Sequence, residues 1–368
     1  MTTEKDTETT ISESTNEDSE TTTTDDSDTA TQNPEILDDS GEVHENGIPV
    51  TQQLVLLSAI LILLLGSAFT PTIIAYFRDA ADSTPAAPVQ SETREHELDT
   101  SLDTSPIKPF SEISIQGASA YVWDVQGQRA LYKKAPTKQL PLASVTKLMT
   151  ALITYELLSE ASQVTIDATA IAQDGDSGLL RGETFDRATL SDLVLMSSSN
   201  DGAYAMAVAA GGLLQSGDPA NAFVHAMNIR AEELSLHDTY FKNPTGLDIS
   251  EDEGGAYGSA KDMAFLMEHI ILNQPDVLSS TQQETSRVYS QDGIYHDAVN
   301  TNYYIDQIPG LIGSKTGYTD LAGGNLVVAF DAGLNRPIII TVLGSTRHER
   351  FTDVITLVKE SEKYVTQK

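Results

Sequence analysis

From Leu54 to Phe77 the chain runs through 24 residues without one charged side chain, most of them Leu, Ile, Val, Ala or Phe. About 20 such residues are enough to cross the hydrocarbon core of a bilayer as a helix. A cleavable signal peptide starts near the N-terminus with a basic region and has a shorter apolar run. Here about fifty acidic and polar residues come first, so 54–77 reads as a permanent single-pass transmembrane helix that divides the chain.

The two flanks differ in kind. Residues 1–53 hold fifteen Asp and Glu against the single Lys5 and few apolar side chains. Such a segment cannot bury enough surface to offset its chain entropy, and it reads as an acidic disordered tail. Residues 78–111 are polar and carry Pro85, Pro88, Pro106 and Pro109, which suits an extended linker. That leaves 112–368 as one folded domain. The formal charge of -32 argues against nucleic acid as a partner, because phosphate backbones are bound by clustered Lys and Arg. With no cysteine there is no disulfide, thiolate metal site or cysteine nucleophile, and the seven histidines show no metal-ligand spacing, so neither metal nor cofactor is expected.

Within the domain, Ala118–Trp123 and Arg129–Lys133 flank a turn containing Gly127 and read as a hairpin. Leu326–Asp331 and Ile338–Leu343 form a second strand pair, joined through Gly333, Asn335 and Pro337. Helices are expected between the pairs: over Ser144–Leu158, where Leu148, Met149, Leu152 and Ile153 recur at helical spacing, and from Pro219, capped by Asp218. Another, Thr352–Tyr364, closes the chain. The pattern implies an α/β (α+β) domain whose antiparallel sheet is flanked by helices and closed by the two ends of the domain.

Three short motifs carry chemistry. In Ser144-Val145-Thr146-Lys147 the first and last residues share a helix face, so the amine can reach the hydroxyl. A neutral lysine there can take the serine's proton. Alone, the motif is weak and reads better as a helix-capping serine. Ser198-Ser199-Asn200 follows an apolar helical run and is expected at a helix-to-loop junction, where Ser198 can relay a proton and Asn200 can hold an amide. Lys315-Thr316-Gly317, followed by Tyr318, precedes a strongly apolar strand. On an edge strand, Gly317 permits close backbone approach and an extended peptide can pair with the main chain, while Lys315 and Thr316 offer charge and hydroxyl. Each tripeptide alone is noise; the ordered set is not, with Ser198 54 positions after Ser144 and Lys315 117 positions after Ser198.

The set resembles the serine D-Ala-D-Ala carboxypeptidases among the low-molecular-mass penicillin-binding proteins. The likeness extends through Leu140–Ala151, Asn243–Asp248 and Gly313–Asp320, over roughly residues 112–368. It implies a β-lactamase/transpeptidase-like fold with a mainly helical subdomain beside the sheet. It further implies that Ser144 is acylated, Lys147 is its base, and Ser198 and Asn200 complete the relay. Lys315, Thr316, Gly317 and Tyr318 would bind substrate, with the N–H groups of Ser144 and Tyr318 as oxyanion hole. Arg350 would face the substrate carboxylate, with Arg347 as a rival for that place.

The partners so implied are peptidoglycan stem peptides ending in D-Ala-D-Ala, and β-lactams as inhibitors. The domain would stand on the extracytoplasmic side of the cell membrane, held by the single span. The one basic residue beside that span, Arg78, would by itself favour the opposite orientation. Competing readings are a class A-like β-lactamase, with Glu233 as a partial echo of its deacylating glutamate, a murein endopeptidase or transpeptidase, and a non-catalytic β-lactam or cell-wall sensor.

Overall fold

The computed structural model describes residues 108–215, 217–333 and 335–367. The chain divides into two units, 1–99 and 100–368, and everything described lies in the second. The expected acidic tail, the span 54–77 and most of the linker fall outside the described residues. Among the described residues, no helix is long and apolar enough to cross a membrane.

In chain order the elements begin with β1 (Ser119–Asp124) and β2 (Arg129–Lys134), the expected hairpin. A two-residue strand, β3 (Leu140–Pro141), leads into a 3-10 turn at Ala143–Thr146 and then helix α1 (Lys147–Leu157). A short hairpin, β4 (Gln163–Thr165) with β5 (Thr184–Asp186), brackets α2 (Ala168–Ile171). There follow α3 (Arg187–Ser197), α4 (Asn200–Leu214) and α5 (Pro219–Glu233). Strands β6 (Tyr240–Phe241) and β7 (Ala256–Gly258) pair with each other, and β7 pairs with β3. Helix α6 (Ala260–Asn273) precedes an exposed hairpin of β8 (Thr285–Tyr289) and β9 (Tyr295–Val299). The chain ends in β10 (Leu311–Thr319), β11 (Gly323–Asp331), β12 (Pro337–Ser345) and α7 (Glu349–Thr366).

The main sheet has the order β10-β11-β12-β1-β2 and is antiparallel throughout. Its first and last parts in sequence meet at β1–β12, as the strand pattern implied. Period-two alternation divides the side chains between two cores. Ala120, Val122, Leu326, Val328, Phe330, Ile338, Ile340 and Val342 face α7 through Phe351, Val354 and Leu357. Tyr121, Trp123, Val327, Ala329, Ile339 and Leu343 face the opposite way, toward α6 and the helical part. Phe110 is already buried in the first of these cores.

Helix α1 is the axis of the helical part. Every residue from Lys147 to Thr154 is buried, so it is apolar on all sides except where its polar groups serve the site. Asp218 caps α5 as expected, accepting from Asn221 N at 3.2 Å, and Pro219 occupies the first turn, where no N–H is lost. Glu233 ends that helix in an ion pair with Arg230 at 2.8 Å. It is an ordinary helix end.

Candidate active site

The sheet edge, the start of α1 and the α3–α4 junction converge on one place. Ser144 sits in the 3-10 turn and not inside the α-helix that the sequence spacing implied; the helix proper starts at Lys147. The turn is entered through Ala143 with φ +48°, a left-handed conformation unusual for a residue with a Cβ. Packing accounts for it: a Cβ on Gly246, itself at φ +79°, would lie 1.9 Å from Ala143 O. Gly246 therefore lets the 243–248 loop close on the turn. That loop is organised by Asn243, whose Oδ1 accepts from Thr245 N, Thr245 Oγ1 and Gly246 N.

Lys147 is fully buried. Its Nζ lies 2.9 Å from Ser144 Oγ, 2.7 Å from Asn200 Oδ1 and 2.8 Å from Thr245 O. Burial, with Lys315 as the second cause, holds its amine well below the usual lysine range. A lysine in such surroundings can be neutral, and a neutral amine at this distance can accept the serine proton.

The second motif is not a helix running out into a loop. Only two residues separate α3 from α4, the left-handed Ser198 at φ +64° and Ser199, and Asn200 begins the next helix. Ser199, the motif's middle residue, caps α4 by accepting from Gly202 N at 3.0 Å and meets Ser177 Oγ at 2.7 Å. Asn200 Nδ2 donates to Asp174 O at 2.7 Å, which turns its carbonyl oxygen toward Lys147. The cap thus fixes the backbone of this motif, while Asp174 O orients the Asn200 side chain and Lys315 Nζ holds that of Ser198.

The third motif lies on β10, an edge of the main sheet. Lys315 is buried and its Nζ donates to Ser198 Oγ at 2.9 Å and to Thr316 O at 3.1 Å. Burial and, secondarily, Arg350 bring its pKa down to about 7. Thr316 Oγ1 lies 2.6 Å from Thr301 Oγ1. Gly317 has no room for a side chain: a Cβ there would stand 2.8 Å from Leu142 O, 3.0 Å from Val145 N and 3.1 Å from Ser144 N. The glycine brings the edge strand against the turn bearing Ser144. Tyr318 beyond it is exposed, and the Arg347 guanidinium lies 5.0 Å from its ring centre. Arg350 Nη1 donates to Gly317 O at 2.6 Å, while its Nε is buried without a partner. Burial first, and Arg347 second, lower the Arg350 pKa to about 10.

A chain of net charge -32 has here placed Lys147, Lys315 and Arg350 together, all buried, and among the described residues none of them is ion-paired. Uncompensated buried cations are costly unless something anionic joins them. The cluster is therefore suited to a ligand carboxylate. Beyond Thr319 a cleft of about 710 Å³ opens between Asp174, Leu247, Asp248, Glu251 and Asp320.

The nine residues singled out from sequence thus come together, and Arg347 joins Arg350 beside the end of β10 without displacing it. Sequence reasoning missed Thr245, which contributes a carbonyl; Asn325, whose Nδ2 donates to Pro141 O and Leu142 O beneath the turn; and Thr301. Only Thr245 left a trace in the sequence, inside the Asn243–Asp248 run.

The D-alanyl-D-alanine carboxypeptidase family matches this sequence over residues 104–347. The chain belongs to that family. It is 31% identical over 258 residues to the D-alanyl-D-alanine carboxypeptidase DacF of Bacillus subtilis, a match covering 68% of this chain and 63% of that protein. A D-alanyl-D-alanine endopeptidase of Pseudomonas aeruginosa is 30% identical over 270 residues, 70% of this chain and 82% of its own length. Among solved structures, a penicillin-binding protein of Listeria monocytogenes in its ampicillin-bound form is 28% identical, with a TM-score of 0.56 over 67% of this chain and 98% of that one. In this family setting the mixed fold, with its antiparallel sheet beside a helical part, is the expected one.

Proposed function

We propose that this chain is a serine D-Ala-D-Ala carboxypeptidase that removes the terminal D-Ala of peptidoglycan stem peptides through an acyl-enzyme on Ser144. The observation that carries the reading is the contact of a buried, deprotonation-prone Lys147 with Ser144 Oγ at 2.9 Å, beside an edge strand whose buried Lys315 has no ion-pair partner among the described residues. The peptide lies along β10 with its carboxylate on Lys315, Thr316 and Arg350. Lys147 accepts the proton of Ser144 as Oγ attacks the penultimate D-Ala carbonyl. The N–H groups of Ser144 and Tyr318 receive the oxyanion. Ser198, held by Lys315, passes the proton to the leaving amine, and water then hydrolyses the ester. A β-lactam follows the same path and stalls as the ester. The name of the Pseudomonas relative favours a second leaving group, a cross-linked peptide, at the same site. In this reading the 54–77 segment spans the cell membrane and holds the domain on the extracytoplasmic side.

The test is release of D-alanine from a D-Ala-D-Ala peptide as a function of pH. The free enzyme needs Lys147 without its proton and Lys315 with one. Its kcat/KM is expected to rise with pH as Lys147 deprotonates and to fall on the alkaline side through about 7 as Lys315 does. Lys315→Arg keeps its charge, so its alkaline limb should move to higher pH. An unmoved limb would remove Lys315 from the carboxylate contact, and no D-alanine release at any pH would overturn the reading.

A further inference from the structure

Thr316 can help bind a carboxylate only as a hydrogen-bond donor, because a carboxylate oxygen offers no proton. A hydroxyl has one proton to give, and Thr316 Oγ1 stands 2.6 Å from a second hydroxyl, Thr301 Oγ1. One of the two must donate to the other. If Thr316 donates, its lone pairs face the incoming anion and the contact is repulsive.

The surroundings of Thr301 decide which hydroxyl donates. Its backbone N–H reaches Met196 O at 3.0 Å, so the carbonyl at the end of α3 already has a donor. Its hydroxyl is 3.3 Å from that carbonyl, against 2.6 Å from Thr316. The 2.6 Å contact persists whichever hydroxyl donates, so once a carboxylate takes the Thr316 proton, Thr301 turns its own proton to Thr316 Oγ1 and gives up only the 3.3 Å contact to a carbonyl that keeps its other donor. No other acceptor among the described residues takes the proton of Thr316, which is left for a ligand.

Thr301 is held for this task from both sides in sequence. Asn300 Nδ2 donates to Thr281 O at 2.8 Å and to Gln283 O at 2.9 Å, and Asn302 Nδ2 donates to Ser314 Oγ at 3.1 Å. The segment thus joins the end of α3, one residue short of the Ser197–Ser198 turn, to the strand carrying Lys315 and Thr316.

We infer that Thr301 is a positioning residue that donates its hydroxyl proton to Thr316 Oγ1 and so keeps the Thr316 proton directed at the substrate's terminal carboxylate. The inference rests on the carboxypeptidase reading and adds to it a residue that makes no contact with substrate. Because Thr301 acts through Thr316, its effect must vanish when Thr316 has no hydroxyl.

The experiment is a double-mutant cycle on the full chain, reading D-alanine release. Thr301→Val keeps size and the backbone bond to Met196, and Thr301→Ala serves in the same comparison should the valine variant fail to fold. In the Thr316 background, Thr301→Val should lower kcat/KM about fivefold, mainly through KM, as expected for one lost bond near a charged ligand. In the Thr316→Val background the same change should cost less than about twofold, and Thr301→Ser should restore the single variant to within about twofold. Equal losses in both backgrounds, or no loss in either, would overturn the inference while leaving the carboxypeptidase reading intact. A wild-type chain that releases no D-alanine would overturn both.

Discussion

Lys147→Met is expected to slow acylation of Ser144 by benzylpenicillin about a thousandfold, within the range by which a positioned base accelerates proton transfer. The amine is the only buried base whose nitrogen the structure sets against Ser144 Oγ among the described residues, and methionine matches its length without replacing its lone pair. Stability should respond differently. Since folding holds Lys147 below its ordinary range, the unfolded chain binds a proton that the folded one refuses, and this penalty is full below the folded pKa. It fades as pH rises toward 10.5, the unfolded value. The methionine variant loses that pH dependence, but leaves Asn200 Oδ1 and Thr245 O without their donor, at about 1–3 kcal/mol each. A folded variant with a flatter dependence of Tm on pH and almost no adduct is the expected result. Acylation within about tenfold of wild type would mean that another group serves as base.

Gly317→Ala is the second large effect. The added Cβ would meet Leu142 O, Val145 N and Ser144 N at 2.8–3.1 Å, and all three are backbone atoms of the turn carrying the nucleophile. They cannot rotate aside as a side-chain end can, so β10 and the turn must separate. A misplacement of this size costs about 100-fold when reacting atoms must be aligned. Strain of this kind costs about 1–3 kcal/mol of stability. Stopped-flow acylation beside a thermal melt measures both. Gly212→Ala is the control, since its Cβ would point into open space. Near-normal acylation by the Gly317 variant would show that the close approach is dispensable.

These two residues also mark what the sequence made legible. The apolar runs of β1, β11 and β12, with the turn residues between them, gave away the sheet because these strands are buried on both faces. Asp218 and Pro219 announced α5 by local capping chemistry. What stayed hidden was set by contacts distant in sequence. The turn that takes Ser144 out of the helix depends on Gly246, about a hundred residues later. Asn200 was expected in a loop because the apolar spacing of α3 stops before it, whereas the single left-handed residue Ser198 and the cap from Ser199 start a new helix at once. Thr245 and Thr301 contribute through a carbonyl and a loop hydroxyl, and neither follows any periodicity.

The cationic cluster ties these elements together. Lys315 links β10 to Ser198, Lys147 links the turn to Asn200, and Arg350 reaches from α7 to Gly317 O. Each bond joins two separate elements, and the cost of burying the cations Lys315 and Arg350 is offset once an anionic ligand arrives.

The central claim is that Ser144 is the nucleophile. Its most direct test is the intact mass of the full chain after incubation with benzylpenicillin, beside Ser144→Ala treated in the same way. A mass increase of one penicilloyl group on the wild-type chain, absent from the alanine variant, is the predicted result. An adduct of the same mass on Ser144→Ala, or none on a wild-type chain shown to be folded, would contradict the account.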